Sequence, residues 1–203
     1  MDYTQPASQD ITARTAAALT ANGIEAHTVE NAAQAKAKLF EMIPAGAEVM
    51  TMTSVTLDAV GADKEFFESG RYDSIRKRFA ALDPQTQGAE MRKLAAAPQW
   101  TVGSVHAVTE DGHVMIASAS GSQLPAYAYG AANVVWIAGT NKIVKDTAAG
   151  LKRIYEYALP LESERARRAY GVAGSSVNKL LIINREGQAG RARIILVNEA
   201  LGF

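Results

Sequence analysis

From Val114 through Asn141 the chain runs 28 residues without a charged side chain, although 21% of the whole sequence is charged. A stretch of that length is long enough to cross a bilayer as a helix. Its content points elsewhere. Ser118, Ser120, Ser122, Gln123, Pro125 and Asn133 interrupt it, and Gly121 and Gly130 divide it into pieces of strand and helix length. The pattern predicts strand, glycine turn, short helix, glycine stop and strand, the core unit of an α/β fold. Its polar residues gather where the chain must turn over the end of a sheet. Open α/β sheets bind ligands beyond the carboxyl ends of their strands, so a site is expected there.

At 203 residues the chain can bury one substantial core. A single domain over residues 10–203 is expected, behind a frayed, disordered N-terminus of residues 1–9. Lys plus Arg and Asp plus Glu balance at 21 each, so no basic surplus points to nucleic acid or to an anionic membrane. The absence of cysteine excludes disulfides, thiolate zinc sites, cysteine nucleophiles and iron–sulfur clusters on this chain. His27, His106 and His113 lack metal-ligand spacing, and His106 is expected as a hydrogen-bonded interior histidine. No metal or cofactor is therefore expected on this chain. The opening MDYTQPASQD lacks the basic-then-apolar pattern of a signal peptide, which makes a cytoplasmic location the expectation.

Ahead of the central run, the spacing predicts a helix over 10–21, a strand over 24–30 and a helix to Ile43 capped by Asn31. A second strand over 48–52 follows, then a short helix stopping near Gly61. This is the rhythm of a parallel sheet with helical crossovers. Two further helices are expected over 63–69 and from an Asp83 cap to about Ala97. Thr101 to Thr109 reads as a strand, turned by Glu110-Asp111-Gly112 into a hairpin partner over 113–119. Beyond it the pattern gives a short helix over 122–129, a buried strand over 133–138, an Asp146-capped helix through Tyr157 and a charged helix over 161–170. After a flexible stretch over 171–176, residues 178–184 and 192–198 are expected as a closing pair of strands.

Four places carry residues suited to chemistry, each with an ordinary reading beside it. Thr53 and Ser54 stand between a strand end and a helix, where hydroxyls either cap the helix or help hold an anion. Glu110, in Thr109-Glu110-Asp111-Gly112, is either a nucleophile or base at a strand end or one side of a plain Asp-Gly turn. Gly121-Ser122-Gln123 is either a strand-to-helix turn or a loop that lets backbone approach a ligand. It is neither a Walker loop nor a dinucleotide glycine fingerprint. Lys142 follows the buried strand and is either a solvated loop lysine or the partner of a phosphate or carboxylate. Arg71, Arg76, Lys77, Arg78, Arg92 and Lys93 form the most basic region, a solvated face or a phosphate clamp.

Three phrases together resemble the LUD-domain family, the lactate-utilisation protein C group: Gly103 to Gly112, Gly121-Ser122-Gln123, and Ile137 to Val144 with its Gly139-Thr140-Asn141-Lys142. The ending Ile195 to Phe203 is similar to that family's closing strand, and the likeness covers about residues 10–203. It implies a Rossmann-like α/β/α sandwich, similar to the CoA-transferase, ribose-phosphate isomerase and glucosamine-phosphate deaminase fold, with a mainly parallel sheet and a β-hairpin. It adds Gly103 and Ser104 to the candidate ligand residues. Many short relatives carry a cysteine cluster before the last two strands, where this chain has Tyr170 to Asn178 without cysteine, so no metal or redox role of that loop carries over. Thr109-Glu110-Asp111-Gly112 also resembles the Ser-Glu-Asn-Gly phrase of CoA-transferases, which offers Glu110 as a thioester-forming carboxylate.

Three functions follow as expectations. The first is a lactate-utilisation protein that binds a small anionic metabolite and works with iron–sulfur partner subunits, a homodimer being left open. The second is a stand-alone acyl- or CoA-transferase-like or sugar-phosphate isomerase-like enzyme using Glu110. The third is a non-catalytic assembly or regulatory subunit.

Overall fold

A computed structural model describes residues 2–203. In chain order its strands are β1 (Glu25–Val29), β2 (Glu48–Thr51), β3 (Asp73–Ser74), β4 (Trp100–Gly103) and β5 (Ala107–Thr109). They continue as β6 (Val114–Ser118), β7 (Asn133–Gly139), β8 (Ile143–Val144), β9 (Lys179–Ile183) and β10 (Ala192–Val197). The helices are α1 (Gln9–Ala21), α2 (Ala32–Met42), α3 (Val55–Val60), α4 (Ala62–Glu68), α5 (Ile75–Ala80), α6 (Gly88–Ala96), α7 (Thr147–Arg153) and α8 (Leu159–Tyr170). Among the described residues no helix is long and apolar enough to cross a membrane.

The main sheet has six strands in the order β1-β10-β7-β4-β2-β3, every pair parallel. All carboxyl ends therefore share one edge. A second sheet, β8-β5-β6-β9, is mostly antiparallel, with the β5–β6 hairpin at its centre. The period-2 alternation of the strands sorts side chains between two cores. Val135, Ile137, Ile195 and Val197 face Leu39, Leu57 and Phe66 of α2, α3 and α4. Val134, Trp136, Ile194 and Leu196 face the other way, onto Leu19 of α1 and onto Val108, Val114 and Ile116 of the second sheet. The opposite face of that second sheet, with Ala107, Met115 and Ala117, packs on Ile154 just beyond α7. The charge-free run is now explained, because β6 is wholly buried and β7 lies between two hydrophobic layers. The result is the mainly parallel Rossmann-like α/β/α arrangement.

Helix starts follow the sequence. The side chains of Asn31, Ser54 and Asp146 each accept a backbone N–H from the first turn of α2, α3 and α7. Elsewhere the structure departs from the expectations. The single strand over 101–109 is two, because the chain leaves the main sheet after Gly103 and His106 N–H bonds to Met115 O of the second sheet at 2.9 Å. The closing strands do not pair with each other. β10 is apolar on both faces and fits the interior between β1 and β7, whereas the half-exposed β9 takes an edge beside β6. Asp83 closes a turn, accepting from Gln85 N at 2.9 Å and Thr86 Oγ1 at 2.8 Å, so α6 begins only at Gly88. A short strand and helix over Asp73–Ala80 precede it where no element was expected.

The two helices expected over 146–170 are one continuous rod, joined through a π-helical turn at Ile154–Ala158. The short helix expected over 122–129 opens with a turn at Ser122-Gln123 and runs from Leu124 into a second π segment at Ala126–Gly130. Tyr3 packs on Tyr157 with ring centroids 5.2 Å apart, and its carbonyl accepts from Asn141 Nδ2 at 3.2 Å.

The bend after Gly103 depends on one close approach. A methyl group at Gly103 would overlap the Tyr127 hydroxyl, and the Tyr127 ring meets Trp136 edge-on at 5.6 Å. Gly103→Ala should therefore lower stability by about 1–3 kcal/mol, the usual cost of overpacking. Tyr127→Phe in the same background should return part of that loss in a double-mutant cycle measured by denaturant unfolding. Strict additivity would show that the hydroxyl is not what the methyl meets.

Candidate functional site

Because all six strands of the main sheet are parallel, the residues that follow them meet along one edge. Thr53 and Ser54 follow β2, Ser104 follows β4, and Lys142 sits in a 3-10 turn after β7. Phe203 arrives after β10. These residues line a cavity of about 300 Å3. Its opposite wall comes from the end of β6 and the loop after it, with Ser118, Ser120 and Gln123. The helical rod contributes Ile154, Glu162 and Arg165, and the loop before β9 contributes Ser175 and Ser176. Both π segments reach this space, one through Tyr127 and one through Ile154 and Ala158. Such irregular turns concentrate at functional sites.

Lys142 is 1% exposed, and its amine is held by Thr56 Oγ1 at 2.8 Å, Ser104 Oγ at 3.0 Å and Val105 O at 3.1 Å. No carboxylate is among these partners. Burial pushes the Lys142 pKa well below its ordinary 10.5, and the Arg153 guanidinium pushes it further in the same direction. Arg153 is itself fully buried. It donates to His106 O and lies over the rings of Tyr157 at 5.2 Å and Tyr3 at 5.4 Å, while its Nε and Nη2 have no partner. Desolvation lowers its pKa to about 10, against a smaller raising effect from Tyr157 and Tyr3, so it remains a cation at neutral pH. Glu162 is the one acidic side chain among the described residues lining the cavity, and Arg165 grips it with two hydrogen bonds of 2.7 Å. The Lys142 amine and the Arg153 guanidinium behind it thus have no acidic side chain among their partners.

His106 supplies a donor. Its Nδ1 accepts the backbone N–H of Ala117 at 3.2 Å, which leaves the proton of the neutral ring on Nε2. Burial, then Lys142 and Arg153, lower its pKa to about 3, so the ring stays neutral through the physiological range. Nε2 has no hydrogen-bond partner among the described residues, on a ring that lines the cavity. A neutral imidazole donor of this kind suits a carbonyl or carboxylate oxygen.

The expected site residues divide. Thr53, Ser54, Ser104, Gln123 and Lys142 line the cavity. Thr53 also accepts from Arg76 Nη2 at 2.9 Å, and Ser54 caps α3 through Thr56 N at 3.2 Å. Gln123 accepts from the Ser118 hydroxyl at 3.0 Å. Gly121 and Ser122 stay behind the wall. Gly121 has φ 85°, with the Lys179 stem against it, and Ser122 bonds Ser120 at 3.1 Å. Gly103 lies under Tyr127, outside the lining.

Glu110 is not brought to the cavity. It is 3.4 Å from Arg14 of α1 and its N–H bonds to Val144 O at 2.9 Å, while Asn22 of α1 donates to the carbonyls of Asp111 and Gly112. Its turn docks the hairpin onto α1. Sequence reasoning missed Thr56, Tyr127, Glu162, Arg165, Ser175 and Ser176. Thr56 stood in a run of hydroxyls and Tyr127 in the charge-free stretch, but nothing local marks Arg165.

Among the described residues, no three His, Asp or Glu side chains come together in a way that would hold a metal ion. No curated protein matches the chain. The crystal structure of a DUF162 family protein from Deinococcus radiodurans superposes with a TM-score of 0.55 at 11% identity, covering 95% of this chain and 98% of that one. At that identity the likeness shows the fold. A family model described as the LUD domain matches residues 12–197. With nearly its whole length matched, the chain belongs to the LUD-domain family.

Proposed function

We propose that this domain binds a small anionic metabolite in the cavity at the carboxyl edge of the main sheet. In this reading it serves L-lactate utilisation in the cytoplasm beside partner subunits that carry iron–sulfur clusters. Family membership supports the metabolic setting, since LUD domains are associated with lactate utilisation. The observation that carries the ligand class is the Lys142 amine on the cavity lining, which has no carboxylate among its partners, with the Arg153 cation buried behind the lining. A bound carboxylate would favour the charged form of this amine in a site of low dielectric. The His106 Nε2–H and the Thr53 hydroxyl offer the neutral donors that a 2-hydroxy or 2-keto acid requires.

The lowered Lys142 pKa sets the pH dependence. In the empty protein the amine gives up its proton readily, and an anion beside it favours the charged form. Binding should therefore take up a proton, and affinity should fall as pH rises through the depressed Lys142 pKa. Titration calorimetry with lactate and pyruvate in buffers of different ionisation enthalpy measures both effects. A ligand at one hundred times its Kd should also raise stability by about 2.7 kcal/mol. Affinity that is flat with pH, with no proton exchanged, would remove Lys142 from the ligand's contacts.

Glu110 has a separate expectation. Its contacts tie a hairpin to α1, so Glu110→Gln should change stability by less than about 0.5 kcal/mol. Ligand affinity and any turnover should be preserved. A loss of two to four orders of magnitude in activity with the fold intact would return the carboxylate to catalysis.

A further inference from the structure

We propose that Ser104 and Lys142 form a nucleophile–base dyad that transfers a small acyl group from an ester or thioester to water. The inference uses the same cavity as the anion reading but does not depend on an anion binding there.

A neutral amine has two N–H bonds and one lone pair. Val105 O, 3.1 Å from Nζ, is a carbonyl and only accepts. Thr56 Oγ1, at 2.8 Å, directs its own proton to Leu201 O at 3.3 Å, so toward Nζ it also accepts. These two take both N–H bonds. Ser104 Oγ, at 3.0 Å, is the remaining neighbour and carries a proton of its own. Its other oxygen neighbours are farther, Thr56 Oγ1 at 3.2 Å and Val105 O at 3.5 Å. The Ser104 hydroxyl is therefore placed to donate to the lysine lone pair, the arrangement in which an amine activates a serine.

Burial of the amine without a carboxylate, and the Arg153 cation behind it, favour the neutral form that this requires. Ser104 is only partly buried and lines the cavity, at the point where the chain leaves β4. His106, two residues on, also faces that cavity with its unpartnered Nε2–H, suited to the oxygen that becomes negative.

The step balances as follows. Ser104 Oγ bonds to the acyl carbon while its proton passes to Lys142 Nζ. The bond from carbon to the leaving oxygen or sulfur breaks, and the leaving group takes the proton from Nζ. Water then attacks the acyl-serine, gives a proton to Nζ, and Ser104 leaves with that proton restored. An acid and an alcohol or thiol are released, and no oxidant or reductant is consumed.

Diisopropyl fluorophosphate and p-nitrophenyl acetate test this on the intact protein. The expected result is a single adduct on the Ser104 peptide by mass spectrometry, absent in Ser104→Ala. Its rate should rise with pH to a plateau whose inflection lies below the ordinary lysine range. Lys142→Met should slow labelling by about 100-fold, the lower bound for loss of a positioned base. Folded wild-type protein without an adduct, an adduct on another residue, or Lys142→Met labelling at the wild-type rate would overturn the dyad. Should Lys142→Met fail to fold, the wild-type pH profile decides, and an inflection at the ordinary lysine value or none at all would also overturn it. The anion reading fails independently, since anion binding is strongest at low pH and acylation fastest at high pH.

Discussion

An amine cannot be buried without partners, and those around Lys142 tie together elements that the sequence keeps far apart. Thr56 comes from the first turn of α3, Ser104 and Val105 from the exit of β4, and Leu201 from the segment after β10, bonded through Thr56. Leaving any of these polar groups unmade in the interior would cost on the order of 1–3 kcal/mol. The cluster therefore fixes where the ends of β2, β4, β7 and β10 lie relative to one another, and the cavity wall follows. Asn141 adds to this by bonding the Leu201 N–H and the Tyr3 and Gly202 carbonyls. Structural order and the candidate chemistry rest on the same few atoms.

Much of the architecture was legible in the sequence because it depends on local patterning. The charge-free run marked β6 and β7, Asn31, Ser54 and Asp146 announced helix starts, and the strand–helix rhythm implied a parallel sheet. Lys142 could be placed by the rule that parallel sheets bind ligands at their carboxyl ends. What stayed hidden depends on long-range choices. Residues 101–109 alternate without a break, and only the contact of Gly103 with Tyr127 and the bond from His106 to Met115 show that the run serves two sheets. Residues 178–184 and 192–198 are both apolar, and their partners are decided by which faces the rest of the fold covers. The partner of His106 Nδ1 is eleven residues away across a hairpin, so its tautomer has no local signature.

Glu110 illustrates the same limit from the other side. An acid after a strand and before Asp-Gly looks alike whether it performs chemistry or closes a turn. The distinction lies in Arg14 and Asn22, nearly ninety residues or more earlier, which hold the turn on α1. Gly112 completes that docking, with φ 84° and the backbone of Ala18 and Leu19 against it.

The passage from β4 to β5 has one more consequence. Ser104, Val105 and His106 form one short covalent joint between the two sheets, Thr140 to Lys142 form a second from β7 to β8, and the cavity opens across them. Thr53 and Ser54 belong to one side, Ser118, Ser120 and Gln123 to the other. A molecule touching both sides would act as a strut across a hinge, resisting any rocking of one sheet on the other. Hydrogen exchange in β5 and β6 would then slow together with that in β4, although no ligand atom need touch those strands.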